Sequence, residues 1–154
     1  MKKINLHELR KDPLLGRWVA VLNQSCAPSE YVLPADADNE NNCILCAGRE
    51  EETPPEIMST EKQNSEQAHQ RWWTRVIPSF TPVFQVEGEL GRRGDGIYDK
   101  MNSIGANEII IESPDHNVSP EDIGLDQMVR VIMTYRDRMS DLEKDQRLRY
   151  TLIY

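Results

Sequence analysis

Ile109, Ile110 and Ile111 stand in a row with polar and turn-forming residues on both sides. A short β-branched run of this kind suits a buried strand, because each side chain is stiff at χ1 and packs well on a pleated surface. Ser113-Pro114-Asp115-His116 then ends the strand, since proline cannot donate to a ladder, and leaves an imidazole on the turn that follows. An imidazole at a strand end can serve as a metal ligand or an acid/base group, or be an ordinary turn histidine. Upstream, Gly96 and Gly105 with the polar residues between them read as a loop able to approach a ligand closely, because glycine has no Cβ.

The cysteines narrow these choices. There are three, an odd number, and two of them form Cys43-Ile-Leu-Cys46. A C-x-x-C spacing can place both sulfurs on one metal, with Gly48 permitting the tight backbone of a zinc knuckle. The same spacing serves redox dithiols, although the βαβ context for those is missing, and two unrelated cysteines remain a third reading. A closed tetrahedral site needs four ligands. His116 is a candidate third, 70 residues beyond Cys46. Cys26 reads as a bystander thiol in a loop.

With 154 residues the chain fits one domain and is long enough to bury a core. Its net charge of -8 argues against non-specific binding to nucleic acid or anionic membranes. No apolar run has the length of a membrane span or of a signal-peptide core, and with the cysteine pattern this points to the cytoplasm.

Strands are expected at Arg17 to Leu22, Arg71 to Ile77, Val83 to Val86, Asn107 to Glu112 and Leu148 to Tyr154. Asn23 to Asn42, the polar excursion from Ser59 to Gln70, and Glu87 to Asp95 read as loops. Ser119-Pro120 has the character of a helix start. Met128, Val131, Ile132, Tyr135, Met139 and Leu142 recur at three-to-four spacing within a helix from Leu125 to Lys144. Arg130, Arg136, Asp137, Arg138 and Asp141 fall to its other face. Irregular connections between the strands favour an α+β fold on an antiparallel sheet.

Five pieces in order resemble the amino-terminal half of the galactose-1-phosphate uridylyltransferase family, in the histidine-triad superfamily. They are Glu8-Leu-Arg-Lys-Asp-Pro-Leu-Leu-Gly-Arg-Trp-Val19, Cys43-x-x-Cys46 with Thr53-Pro-Pro-Glu-Ile57, Gly96-Ile-Tyr-Asp-Lys-Met101, Glu108-Ile-Ile-Ile-Glu-Ser-Pro-Asp-His-Asn117 and Tyr135-Arg-Asp-Arg138. The resemblance implies an antiparallel half-barrel sheet with flanking helices, a homodimer, and zinc held by Cys43, Cys46 and His116. It implies nucleotide contacts from Ser79, Phe80, Gly105, Ala106 and Asn107, and transfer of a nucleoside monophosphate between a nucleotide sugar and a hexose 1-phosphate. Thr53-Pro-Pro-Glu-Ile57 is equally at home in the adenine-nucleotide phosphorylase branch, and a non-catalytic zinc-stabilised binding module is a further alternative.

The departures bear on activity. Pro78-Ser-Phe-Thr-Pro-Val-Phe84 replaces the family's Pro-Asn-x-Phe-Pro-Ala-Leu turn, and the arginines usual after the first strand are absent around Asn23-Gln-Ser25. The family's His-Pro-His-x-Gln motif, which carries the nucleophilic histidine and the fourth zinc ligand, follows the strand that Leu148 to Tyr154 resembles. It does not occur in these 154 residues. The resemblance therefore implies residues 1–154 as a single truncated domain, incomplete at its C-terminus and with no catalytic residue. His7 and His69 lie in segments unlike the motif.

Overall fold

The computed structural model describes residues 7–22, 43–62 and 72–154. Asn23 to Asn42 with Cys26, His69, and the start of the expected strand at Arg71 lie outside the described residues. Among the described residues, two antiparallel sheets, one α-helix and a single 3-10 turn at Glu50–Glu52 make up the regular structure. The first sheet has the order β2-β1-β6-β5, formed by β1 (Glu8–Lys11), β2 (Trp18–Val21), β5 (Arg93–Asp95) and β6 (Tyr98–Asn102). The second has the order β3-β4-β7, formed by β3 (Met58–Glu61), β4 (Trp72–Pro78) and β7 (Glu108–Ile111). The helix α1 spans Leu125–Leu142. The α+β expectation holds, and no described helix is long and apolar enough to cross a membrane.

The second sheet positions the site, and its central strand β4 is covered on both faces. In an unbroken strand Trp72 and Ile77, five residues apart, would point to opposite sides. The ladder between β3 and β4 shifts register between Thr60 and Glu61, which pair with Thr74 and Trp72. This bulge lets Trp72 join Ile77 and Ile111 in one buried cluster, against which Leu45, Ala47 and Ile109 pack. Arg75 sits beside them, 2% exposed, with its guanidinium 5.7 Å from the Trp72 ring. The Thr53-Pro-Pro-Glu-Ile57 motif satisfies part of that cation, while Arg75 Nη1 is buried with no hydrogen-bond partner among the described residues. Thr53 Oγ1 and Glu56 Oε2 accept from the guanidinium at 3.0 and 3.1 Å, and the Ile57 amide donates to the Val76 carbonyl.

The opposite face meets α1. Thr74 and Thr134, both buried, are joined by a 2.6 Å hydroxyl hydrogen bond. The alternation in β7 follows the same division. Ile109 and Ile111 face the Trp72 cluster, whereas Glu108 and Glu112 reach Arg138 and Tyr135 of the helix. The isoleucine run is thus a strand, as expected, but its flanking glutamates are committed to ion-pair and hydrogen-bond partners.

Several local expectations are corrected. Tyr98–Asn102 is strand, not loop, and it pairs with Arg93–Asp95 in what reads as a loop from Glu87 to Asp95. Gly96 makes this hairpin possible, since it opens the two-residue turn at φ 61°, a region that side chains with a Cβ rarely enter. Val83 to Val86 contributes only an isolated bridge between Gln85 and Ile104. Leu148 to Tyr154 forms no strand, because no edge among the described residues pairs with its backbone. Instead the chain turns at Asp145, and the Arg147 guanidinium donates to the carbonyls of Gly88 and Val86. The helix begins at Leu125 after Gly124, with no side-chain cap; the Ser119 hydroxyl donates to Asp122 instead. On α1 the buried residues are Val131, Thr134 and Arg138, while Ile132 from the expected core stripe is 54% exposed.

Candidate metal centre

Cys43 and Cys46 lie in a turn that stacks on the Trp72 cluster through its apolar members, Leu45 and Ala47. The inward Leu45 and Ala47 thereby fix where the two sulfurs stand. Backbone bonds from the Cys46 amide to the Cys43 carbonyl and from the Arg49 amide to the Cys46 carbonyl close the turn. Gly48, at φ 91°, takes the chain out of it. His116 arrives from the turn after β7, and the Ala47 amide, bonded to the Pro114 carbonyl at 3.4 Å, ties the two turns together.

The donor atoms of Cys43, Cys46 and His116 lie within 4.8 Å of one another, all half-buried. Cys46 Sγ and His116 Nδ1 are 3.2 Å apart. With bonds of about 2.3 Å to sulfur and about 2.0 Å to nitrogen, tetrahedral zinc separates such a pair by roughly 3.5 Å. Two thiols and an imidazole are also the donor types that zinc prefers. The three residues therefore fit zinc both in spacing and in chemistry.

Two further residues, Arg49 and Glu50, flank the turn and form no part of the sequence expectations. Arg49 forms a fork with Glu52 at 2.7 Å through both Nε and Nη2. That hydrogen-bonded pair raises the arginine's pKa, and the Cys43 and Cys46 sulfurs add a smaller electrostatic contribution. Glu50 accepts from the Gly48 amide at 3.0 Å and from the Trp72 indole at 2.8 Å. Burial alone would push the Glu50 carboxyl up, but these donors together outweigh it and hold the group below the ordinary glutamate value. The signal for both was the adjacency of Gly48-Arg49-Glu50 to the cysteine turn.

Of the residues expected around a nucleotide, Ser79 and Asn107 are joined directly. The Ser79 amide donates to the Asn107 carbonyl at 2.8 Å, and Asn107 Oδ1 accepts from the Val83 amide at 3.0 Å. Phe80, next in the chain after Ser79, is 46% exposed. Gly105 is buried, and its close approach is to Phe84: a Cβ built there would stand 3.2 Å from that ring. The tryptophans divide, with Trp72 in the core and Trp73 under the Lys62 ammonium at 4.6 Å.

Together, fold and site define an α+β domain in which a cysteine turn and a strand-end histidine meet as a candidate transition-metal site. No protein-family model matches the chain. It is similar to ADP-glucose phosphorylase of Arabidopsis thaliana, at 24% identity over 96% of this chain and 42% of that protein. Among solved structures it is similar to an A. thaliana ADP-glucose phosphorylase with bound ADP-glucose, with a TM-score of 0.56, 26% identity, and coverage of 94% of this chain and 40% of that one. A uridylyltransferase structure shares the fold at a TM-score of 0.61 and 19% identity, over 93% of this chain and 37% of its own. These findings agree with the resemblance carried by the sequence motifs: the chain is similar in sequence and fold to ADP-glucose phosphorylase and shares its fold with a uridylyltransferase. It spans less than half the length of the relatives it matches.

Proposed function

We propose that this chain is the zinc-holding amino-terminal portion of an enzyme that transfers a nucleotidyl or phosphate group on a nucleotide sugar. The convergence of Cys43, Cys46 and His116 carries this reading, in a chain similar along 96% of its length to ADP-glucose phosphorylase. In it, residues 1–154 form a single domain of the half-barrel, histidine-triad type, and the whole protein is a homodimer. Ser79, Phe80, Gly105, Ala106 and Asn107 contact the nucleotide, and a hexose 1-phosphate is the other substrate. Zinc, when bound, cross-links the cysteine turn to the end of β7. For the nucleotide, identities of 24% and 26% with ADP-glucose phosphorylase against 19% with uridylyltransferase favour adenine. Hexose-1-phosphate uridylyltransferase chemistry, which the sequence motifs resemble, is the second reading.

Transfer through a covalent intermediate needs an imidazole in line with the phosphorus and donors to hold its developing charge. The histidines of this chain are His7, His69 and His116, and none stands in a His-Pro-His-x-Gln motif. By itself the chain therefore orients ligand without turning it over. NMR titration of the zinc-loaded chain with ADP-glucose and UDP-glucose tests the binding half. Shifts at Ser79, Phe80 and 105–107, stronger with ADP-glucose, are expected; no shift with either ligand at millimolar concentration excludes a nucleotide-sugar site here. Incubation with labelled nucleotide sugar and hexose 1-phosphate should give neither exchange nor a labelled adduct.

A further inference from the structure

We infer that Glu50 is a positioning residue for the metal centre, fastening the turn that carries Cys43 and Cys46 to the buried indole of Trp72. The inference rests on the zinc reading above. Its geometry is specific. Glu50 Oε1 accepts from Trp72 Nε1 at 2.8 Å and from the Gly48 amide at 3.1 Å, while Oε2 accepts from the same amide at 3.0 Å. Gly48 follows Cys46 by two residues, so the carboxylate grips the exit of the turn where the chain, at φ 91°, would otherwise be freest to swing.

The anchor at the other end is firm. Trp72 is 5% exposed and packed with Ile77 and Ile111. The cysteine turn is therefore held in two ways: Leu45 and Ala47 dock on that cluster from above, and Glu50 ties the turn's last amide to the same tryptophan. Metal affinity depends on how much ligand freedom is lost on binding. A turn already fixed by packing and a charge-assisted hydrogen bond loses less. Outer partners that orient metal ligands typically change affinity 10–100-fold when removed. Glu50 orients the whole turn, not one ligand atom, so its removal should act through both sulfurs at once.

The test is zinc affinity of the 154-residue chain, measured by competition with a chromophoric chelator, together with the absorption of the cobalt(II)-substituted protein. Glu50→Ala should weaken zinc about 10–100-fold and alter the thiolate-to-cobalt charge-transfer bands. Glu50→Gln, whose amide oxygen can still accept from both donors, should recover most of the affinity. In Trp72→Phe, which removes the indole donor, adding Glu50→Ala should cost less than it does in the native background. Arg138→Met, which breaks an ion pair on the opposite face of the sheet, controls for general destabilisation and should leave affinity and spectrum unchanged. Native zinc affinity in Glu50→Ala, or an equal loss in Arg138→Met, would overturn the positioning role while leaving the zinc reading intact. No zinc uptake by the unmodified chain would overturn both.

Discussion

Arg138 closes a two-pronged salt bridge on Glu108, with Nε to Oε2 at 2.9 Å and Nη2 to Oε1 at 2.8 Å. The pair joins α1 to β7, and both side chains are nearly out of solvent at 10% and 13% exposure. Arg138 also donates to Asp141 at 2.8 Å, so the guanidinium is shared between the strand and its own helix.

Breaking this pair from one side leaves a poorly solvated charge without its partner. Arg138→Met should lower stability by about 3 kcal/mol, the lower end of the range for buried pairs, and Glu108→Gln by less, because Asp141 still pairs with the guanidinium. Replacing both residues with apolar side chains, Glu108→Leu with Arg138→Met, should recover most of that loss, because the desolvation cost of two charges disappears with them. Urea unfolding of the three variants reads the difference. Equal stability of the single variants and native protein would show that the bridge is solvated.

The same pair shows what the sequence could reveal. The helix was legible because apolar residues recur at its period, and β4 and β7 because β-branched and aromatic residues cluster there. Period alone did not fix which side of the helix faces the sheet. Val131 and Tyr135 met it as expected, yet Arg138, assigned to solvent, is buried because β7 offers Glu108 at that height. The metal donors were legible from the C-x-x-C spacing and the strand-end histidine, whereas the Glu50 contact depends on the bulge in β4, a feature no local pattern announces. The hairpin β5–β6 escaped for a different reason. Its strands, Arg93–Asp95 and Tyr98–Asn102, are polar and largely exposed, and ladder hydrogen bonds with ion pairs such as Lys100–Asp95, not hydrophobic alternation, hold them.

Zinc binding should follow the three converging donors. The native chain is expected to retain about one zinc per molecule after dialysis, and Cys43→Ser/Cys46→Ser or His116→Ala to lose it, as elemental analysis will read. With three protein donors among the described residues, affinity should fall below that of a four-ligand structural site. Equal zinc content in the native and double-cysteine variants would exclude this centre.

Tyr135 gives a pH signature for the helix–sheet contact. Burial first, and then the hydrogen bond its hydroxyl donates to Glu112, push its pKa up to about 12 from an ordinary 10.0. A raised folded-state pKa means that the protonated phenol is the form the fold favours. That stabilisation is complete below pH 10.0 and is lost as pH climbs from there through about 12. Ultraviolet titration should show one tyrosine ionising late, and Tyr135→Phe should remove that phase. Glu112→Gln should bring the phase to lower pH, since the neighbouring negative charge is gone. A late phase that persists in Tyr135→Phe would belong to another residue.

Gly105 separates two explanations of one glycine. If its role is to admit a ligand, a methyl group there should harm binding alone. The structure places the side chain of Phe84 against it, with a built Cβ 3.2 Å from both Cβ and Cδ1 and 3.3 Å from Cγ of that residue. Such contacts are tighter than most in a packed interior, so the ring or the backbone must give way slightly. Ala106 and Asn107 follow directly, and Asn107 holds the Ser79 and Val83 amides, so displacement at Gly105 reaches the whole turn. Gly105→Ala should therefore cost about 1–2 kcal/mol of stability with no ligand present. Shortening the neighbour, in Gly105→Ala/Phe84→Leu, should return part of that loss relative to Phe84→Leu alone. Thermal unfolding of the four proteins completes the cycle. A Gly105→Ala chain as stable as the native one, but impaired in ADP-glucose titration, would show that the glycine serves the ligand and not the ring.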